Sequence, residues 1–191
     1  NIKEGKAVID FSEELLNYDV ESHEKSIVAS VVYTLTEFAT VDEVEIWIGG
    51  FAGRTLKFGT SLAEVWSRDN TMINSGRLLT GSGEKKADVY LFKNANDRYS
   101  YILPVSAEIG AADGDELPFR IVELMTREQK AGLYSQIPVE TVLIGSRIEN
   151  GSLILDFNEG LRSYGGGTAR EQGIVEQILY SMKQIRGAER V

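Results

Sequence analysis

A stretch near the start of this 191-residue chain returns in its second half, and that repetition limits the possible folds more than any single motif. Gly5-Lys6-Ala7-Val8-Ile9-Asp10-Phe11-Ser12-Glu13-Glu14-Leu15-Leu16-Asn17-Tyr18 is answered by Gly151-Ser152-Leu153-Ile154-Leu155-Asp156-Phe157-Asn158-Glu159-Gly160-Leu161-Arg162-Ser163-Tyr164. Each copy runs into a helical pattern with a matched apolar set: Ile27, Val28, Val32, Tyr33, Leu35 and Phe38 in the first, Ile174, Val175, Leu179, Tyr180, Met182 and Ile185 in the second. The helical copies stand one residue farther apart than the strand copies, so the loop between them differs by one residue. Periods of about 20 to 50 residues mark solenoids and propellers. This one is far longer, so the repeating unit is a whole small domain.

The repeat also predicts that both domains are truncated at the chain ends. Residues 87–150 precede the second copy with strand and helix patterns, whereas Asn1 to Glu4 precede the first. Beyond Val44 the first copy continues into Glu45-Ile46-Trp47-Ile48, and Val191 is the counterpart of Val44. On this reading 1–59 is the C-terminal part of a first domain, 60–87 is a linker, and 88–191 is a second domain lacking its last strand. Sheet edges left open in this way expose unpaired N–H and C=O groups. They are expected to pair with further segments of the protein or by strand exchange in an oligomer.

Local patterns give the expected elements. Ala7 to Phe11 is a short apolar strand, and Ser22 is an N-cap candidate for a helix to about Phe38. Val44, Ile46 and Ile48 alternate with polar neighbours and Trp47 in a strand. A glycine-containing turn leads to an expected strand over Arg54 to Phe58. Strands at Asp88–Phe92 and Tyr99–Ile109 precede a helix with Pro118 in its first turn, where the missing N–H costs nothing. That helix is expected to run through Ile121, Leu124, Met125 and Leu133 towards Tyr134. Asn150-Gly151 suits a type I′ hairpin turn between strands Thr141–Ile148 and Leu153–Phe157. A last helix covers about Thr168 to Arg186. The fold class is α+β: tandem small domains, each a mixed or antiparallel sheet with two helices on one face. Ile121, Leu124, Ile174, Leu179 and Met182 are expected in the second core.

Few chemistries survive inspection of the side chains. The net charge of −9 disfavours nonspecific attraction to nucleic-acid phosphates or anionic lipid. The chain has no cysteine, which excludes disulfides and thiolate metal sites, and its single histidine, His23, cannot build a two-histidine centre. Gly165-Gly166-Gly167 before a helix has the look of a phosphate cradle, but the first copy places Asp19-Val20-Glu21 in the same loop and no Walker lysine follows. Gly50-Phe51-Ala52-Gly53 spells a GxxG between strands, where it reads as a turn. Asp113-Gly114-Asp115-Glu116 lacks the spacing of a calcium loop and reads as an acidic helix start. The repeated Asp10 and Asp156 are expected to hydrogen-bond the turns after their strands rather than to share one cleft as catalytic acids. No catalytic, cofactor or metal site is expected.

Trp47 is the one candidate for partner binding, because it falls on the polar parity of its strand and exposed tryptophan is enriched in binding hot spots. The competing reading buries it under the linker, with Trp66 anchoring that segment.

Val8-Ile9-Asp10-Phe11-Ser12-Glu13-Glu14-Leu15-Leu16-Asn17-Tyr18, followed by Val31-Val32-Tyr33-Thr34-Leu35-Thr36-Glu37-Phe38 and Val41-Asp42-Glu43-Val44, resembles the GerM domain of bacterial sporulation and germination proteins. The resemblance covers Ile2 to Phe58 and about Asp88 to Val191. Arg162, Gly165 to Gly167, Lys183 and Gln184 depart from the first copy. The resemblance implies a non-enzymatic, lipid-anchored, extracytoplasmic protein between the mother-cell and forespore membranes of an endospore former. It further implies domains similar to ring-building motifs and partners in the SpoIIIA and SpoIIQ channel apparatus. The alternative is a cell-wall glycan binder or hydrolase using Trp47 and scattered carboxylates.

Overall fold

The computed structural model describes residues 1–74, 85–96, 98–110, 112, 114–129 and 132–191. They form two compact units, Asn1–Ile73 and Asn74–Val191.

In the first unit β1 (Ile2–Lys3), β2 (Lys6–Phe11), α1 (Ser22–Leu35), β3 (Glu43–Ile48) and β4 (Trp66–Ser67) follow one another. The sheet order is β1-β2-β3-β4. β2 and β3 run parallel, with Ala7 opposite Val44 and Phe11 opposite Ile48. A parallel pair needs a crossover connection, and α1 supplies it. Strand alternation sends Ala7, Val44, Ile46 and Ile48 inward, where Val28 and Val32 of α1 meet them.

The second unit contains β5 (Lys85–Asn94), β6 (Ser100–Gly110), α2 (Leu117–Thr126), β7 (Leu133–Tyr134), β8 (Leu143–Glu149), β9 (Ser152–Phe157) and α3 (Thr168–Met182). β5 pairs antiparallel with β6 on one side and briefly with β7 on the other, while β8 and β9 form a separate hairpin. Val89 and Leu91 of β5, Val105 and Ala107 of β6, Ile121 and Leu124 of α2, and Ile174 and Met182 of α3 share one core. Along the edge of β5 that β7 leaves open, α3 substitutes for a strand. The Gln184 amide donates to Asp88 O (2.7 Å) and accepts from Asp88 N (3.1 Å), and Ser181 Oγ accepts from Tyr90 N (2.9 Å). Tyr90 therefore directs its N–H away from β6, and the Pro104 opposite it needs none in return.

The repeat extends to the hydrogen bonds of its turn. Gly5 O accepts from Asp42 N (2.7 Å) and Glu43 N (3.1 Å), and Gly151 O accepts from Glu189 N (2.7 Å) and Arg190 N (3.1 Å). The parallel bridge of Ser152 with Arg190 repeats that of Lys6 with Glu43. Glu4 and Gly5 have φ of 51° and 78°, and Asn150 and Gly151 have 51° and 74°. Both turns thus hold two successive left-handed residues, as a type I′ turn requires. Gly151→Ala is expected to cost about 1 kcal/mol or more through that φ. Its Cβ would also stand 3.2 Å from Glu189 Cδ. A urea midpoint unchanged from the parent would contradict this.

Four expectations change. α2 stops at Thr126 because Arg127 turns extended (φ −67°, ψ 160°) and the Gln129 amide caps Leu124 O and Arg127 O, so Leu133 and Tyr134 form a strand instead. Arg54 to Phe58 is a tight loop rather than a strand, closed by Leu56 N to Thr60 O (2.8 Å) with Gly59 at φ 110°. Phe38, Val175, Leu179 and Tyr180, placed in cores by their spacing, are exposed by 60%, 54%, 38% and 37%. Residues 60–73 belong to the first unit, where Leu62 is buried and Trp66 lies opposite Val44, and Asn74 belongs to the second. The rest of the expected linker, 75–84, lies outside the described residues, and 85–87 open β5.

Candidate functional site

The most polar buried position is one that sequence reasoning passed over. Glu24, in the first turn of α1, is 2% exposed. Its carboxylate accepts from Tyr18 OH (2.7 Å), Thr60 N (3.0 Å) and Phe58 N. Burial works to raise its pKa, but the donors from Thr60, Phe58 and Tyr18 outweigh it and hold the group at about 2. The acid is an anchor, since it ties the 55–60 loop onto α1 and leaves no proton to exchange near neutral pH. The repeat carried a signal for it: Tyr164 and Glu171 are the counterparts of Tyr18 and Glu24, and Tyr164 OH donates to Glu171 Oε1 (3.4 Å).

Trp47 lies on the face of β3 away from the core, as its parity required, and is half-buried. Its indole N–H donates to Glu45 Oε1 (2.8 Å), while Lys6 Nζ donates to Glu45 Oε2 (3.0 Å). The hydrogen bonds from Trp47 and then Lys6 lower the Glu45 pKa, so this carboxylate stays ionised. Asp10 is the register partner of Trp47, and its Oδ1 accepts from Gly50 N (3.0 Å). The turn that Asp10 stabilises is therefore the one after β3, not the one after its own strand. Lys6, Glu45, Trp47 and Asp10 form a small amphipathic patch able to hold a polypeptide or flat ligand by contact and hydrogen bonds. It has no polarised nucleophile. Trp66 differs, being packed on the first core with its Nε1 buried and without a hydrogen-bond partner.

The remaining candidates sit apart. His23 is exposed at the start of α1. Asp156 is exposed at the end of β9. Gly166 and Gly167 adopt φ of 82° and 110° in a glycine loop that an exposed Thr168 follows. Phe51 O and N both bond Ile48 across Gly49 and Gly50, so the GxxG stretch begins as a hairpin turn. Asp113 lies outside the described residues. Among the described residues no three His, Cys, Asp or Glu side chains gather as a metal site would need. No helix among them is long and apolar enough to cross a membrane.

Comparison with known proteins follows the same division of the chain. The family model described as "Germane: Sporulation and spore germination" matches residues 1–52 and 88–191. The spore germination protein GerM of Bacillus subtilis is 29% identical over 184 residues, which is 94% of this chain. The chain spans about half (49%) of that relative's length. A solved structure of the tandem GerMN domains of the sporulation protein GerM from Bacillus subtilis aligns with a TM-score of 0.77 at 23% identity, covering 98% of this chain and 66% of the other. That likeness shows the fold: α+β, with two GerMN-like units in tandem. With its repeated strand–turn–helix modules and a family match over well more than half of its residues, the chain belongs to the Germane family of sporulation and spore germination proteins.

Proposed function

We propose that this chain acts as a non-enzymatic assembly protein of endospore formation. On this reading it works outside the cytoplasm, carried by a lipid anchor in the space between the mother-cell and forespore membranes. Its tandem units, ring-building-motif-like in arrangement, support the SpoIIIA and SpoIIQ channel apparatus through protein contacts. The observation that carries the reading is the kind of surface present: the most strongly perturbed acid, Glu24, is committed to loop anchoring, while the Trp47 patch presents an aromatic ring on a solvated strand face. Such a surface serves contact rather than turnover. Assembly into a ring or strand-swapped oligomer belongs to the same proposal.

A pulldown with the intact protein and the extracytoplasmic domains of the channel components tests it. Capture is expected, and Trp47→Ala should weaken it by roughly 30-fold if the residue is a hot spot. Failure to capture any component would overturn the reading. Peptidoglycan cleavage that is lost in Asp10→Asn or Asp156→Asn while stability is kept would replace it with the glycan hydrolase alternative.

A further inference from the structure

The hairpin of β5 and β6 outruns the core that it helps to build. Its inward face carries Val89, Leu91, Val105 and Ala107. The same parity continues past the core with Lys93 and Tyr101, which are register partners, and then with Tyr99. All three side chains are exposed, Tyr99 by 61% and Tyr101 by 59%. The rest of the tip is braced from within. Ser100 Oγ donates to Asn94 Oδ1 (2.7 Å), Tyr134 OH lies within bonding distance of both (2.9 Å and 3.1 Å), and the Tyr134 ring stacks on Phe92 at 5.7 Å. Asn96 Oδ1 accepts from Arg98 N (2.9 Å) and Tyr99 N (3.0 Å), and Ala95 N donates to Tyr99 O (2.9 Å). The two free rings therefore stand on a tip that is already ordered, so a partner that meets them costs little conformational freedom.

The groups left over define what that partner carries. The carbonyl oxygens of Asn94 and Asn96 are committed inside the tip. Lys93 and Arg98 are exposed and form no ion pair among the described residues. Both present donors and no acceptor, so the surface calls for acceptors and for negative charge. From Lys93 to Tyr101 the sequence holds two cations against one acid, Asp97, although the chain as a whole carries −9. A neutral glycan, whose hydroxyl groups need acceptors as well as donors, suits it less well. An extended polypeptide also fits in pitch: side chains two residues apart on one side of a strand are separated by about 6.8 Å, and Tyr99 and Tyr101 are themselves such a pair.

We propose that Lys93, Arg98, Tyr99 and Tyr101 form a docking surface for an extended acidic segment of a partner polypeptide. Apolar side chains two residues apart lie on the tyrosine rings, and neighbouring carboxylates pair with Lys93 and Arg98 at the margins. The rings supply most of the affinity, because exposed ion pairs contribute little and are screened by salt, while the charges choose the partner. This surface belongs to the second unit and the Trp47 patch to the first, so the assignment stands whichever assembly the chain serves.

Short fluorescent peptides of alternating valine and glutamate, and their isosteric valine and glutamine counterparts, are titrated against the whole chain by fluorescence anisotropy. The acidic chain repels a glutamate peptide elsewhere, so its binding reports a local site. The glutamate peptide is expected to bind roughly tenfold more tightly than the glutamine one, with the difference shrinking as salt is raised. Tyr99→Ala and Tyr101→Ala should each weaken binding by roughly tenfold. Lys93→Glu combined with Arg98→Glu should abolish the preference for glutamate. None of these changes should move the melting temperature by more than a few degrees, since all four side chains are exposed. Four outcomes would overturn the proposal: no binding of the glutamate peptide, equal binding of both peptides, binding that survives the loss of both tyrosines, or dimers of the chain that Tyr101→Ala dissolves. The last would make a second copy the occupant.

Discussion

Met182→Asp is expected to unfold the second unit or bring it close to unfolding. Met182 is 0% exposed and shares its core with Val89, Leu91, Ile121 and Leu124, so a carboxylate there has neither water nor a cation. Burying such a group costs about 4 kcal/mol or more. That is a large part of the 5 to 15 kcal/mol that holds a typical domain together. Met182→Leu, which keeps volume and polarity, should cost less than about 1.5 kcal/mol. Thermal melting separates the two: the leucine variant should melt within a few degrees of the parent, and an aspartate variant that did the same would mean that the packing of α3 against β5 and α2 is wrongly assigned.

The second large effect belongs to Glu24. Glu24→Ala strands the donors of Phe58, Thr60 and Tyr18, with an expected loss of about 3 kcal/mol or more. The same hydrogen bonds make the first unit sensitive to acid. The folded pKa of about 2 lies below the ordinary value of 4.5, so the contribution is complete above about pH 4.5 and is lost as pH falls through about 2. Urea midpoints followed from pH 5 to pH 2 should fall more steeply for the parent than for Glu24→Gln. Parallel slopes would show that the depressed pKa is not what stabilises the folded loop.

Much of this could be read from the chain because the repeat and the periodicities are local properties. Alternation placed Val44, Ile46 and Ile48 inward and Trp47 outward, since neighbouring side chains on a strand point to opposite faces whatever covers them. Asn150-Gly151 declared its turn because few residues tolerate two successive left-handed conformations. The matched copies establish two related units and the offset between them. Helix stripes were less reliable, because spacing says which residues share a face but not what meets it. Val32 and Leu179 occupy the same place in the repeat; the first is 0% exposed under the 54–73 segment and the second is 38% exposed.

What the tertiary structure decided were the long-range partners. Glu24 reads as an ordinary acid in a helix start until Phe58 and Thr60, more than thirty residues on, aim their N–H groups at it. Ser181 on α3 and Gln184 just after it look like polar surface, yet they complete the open edge of β5, some ninety residues away. Sequence by itself determined the repeated module, its strand faces and its turns, because those follow from backbone geometry over a few residues. Which polar groups are buried, and what covers each copy of the helix, depended on contacts between distant segments, and only the folded chain brings those together.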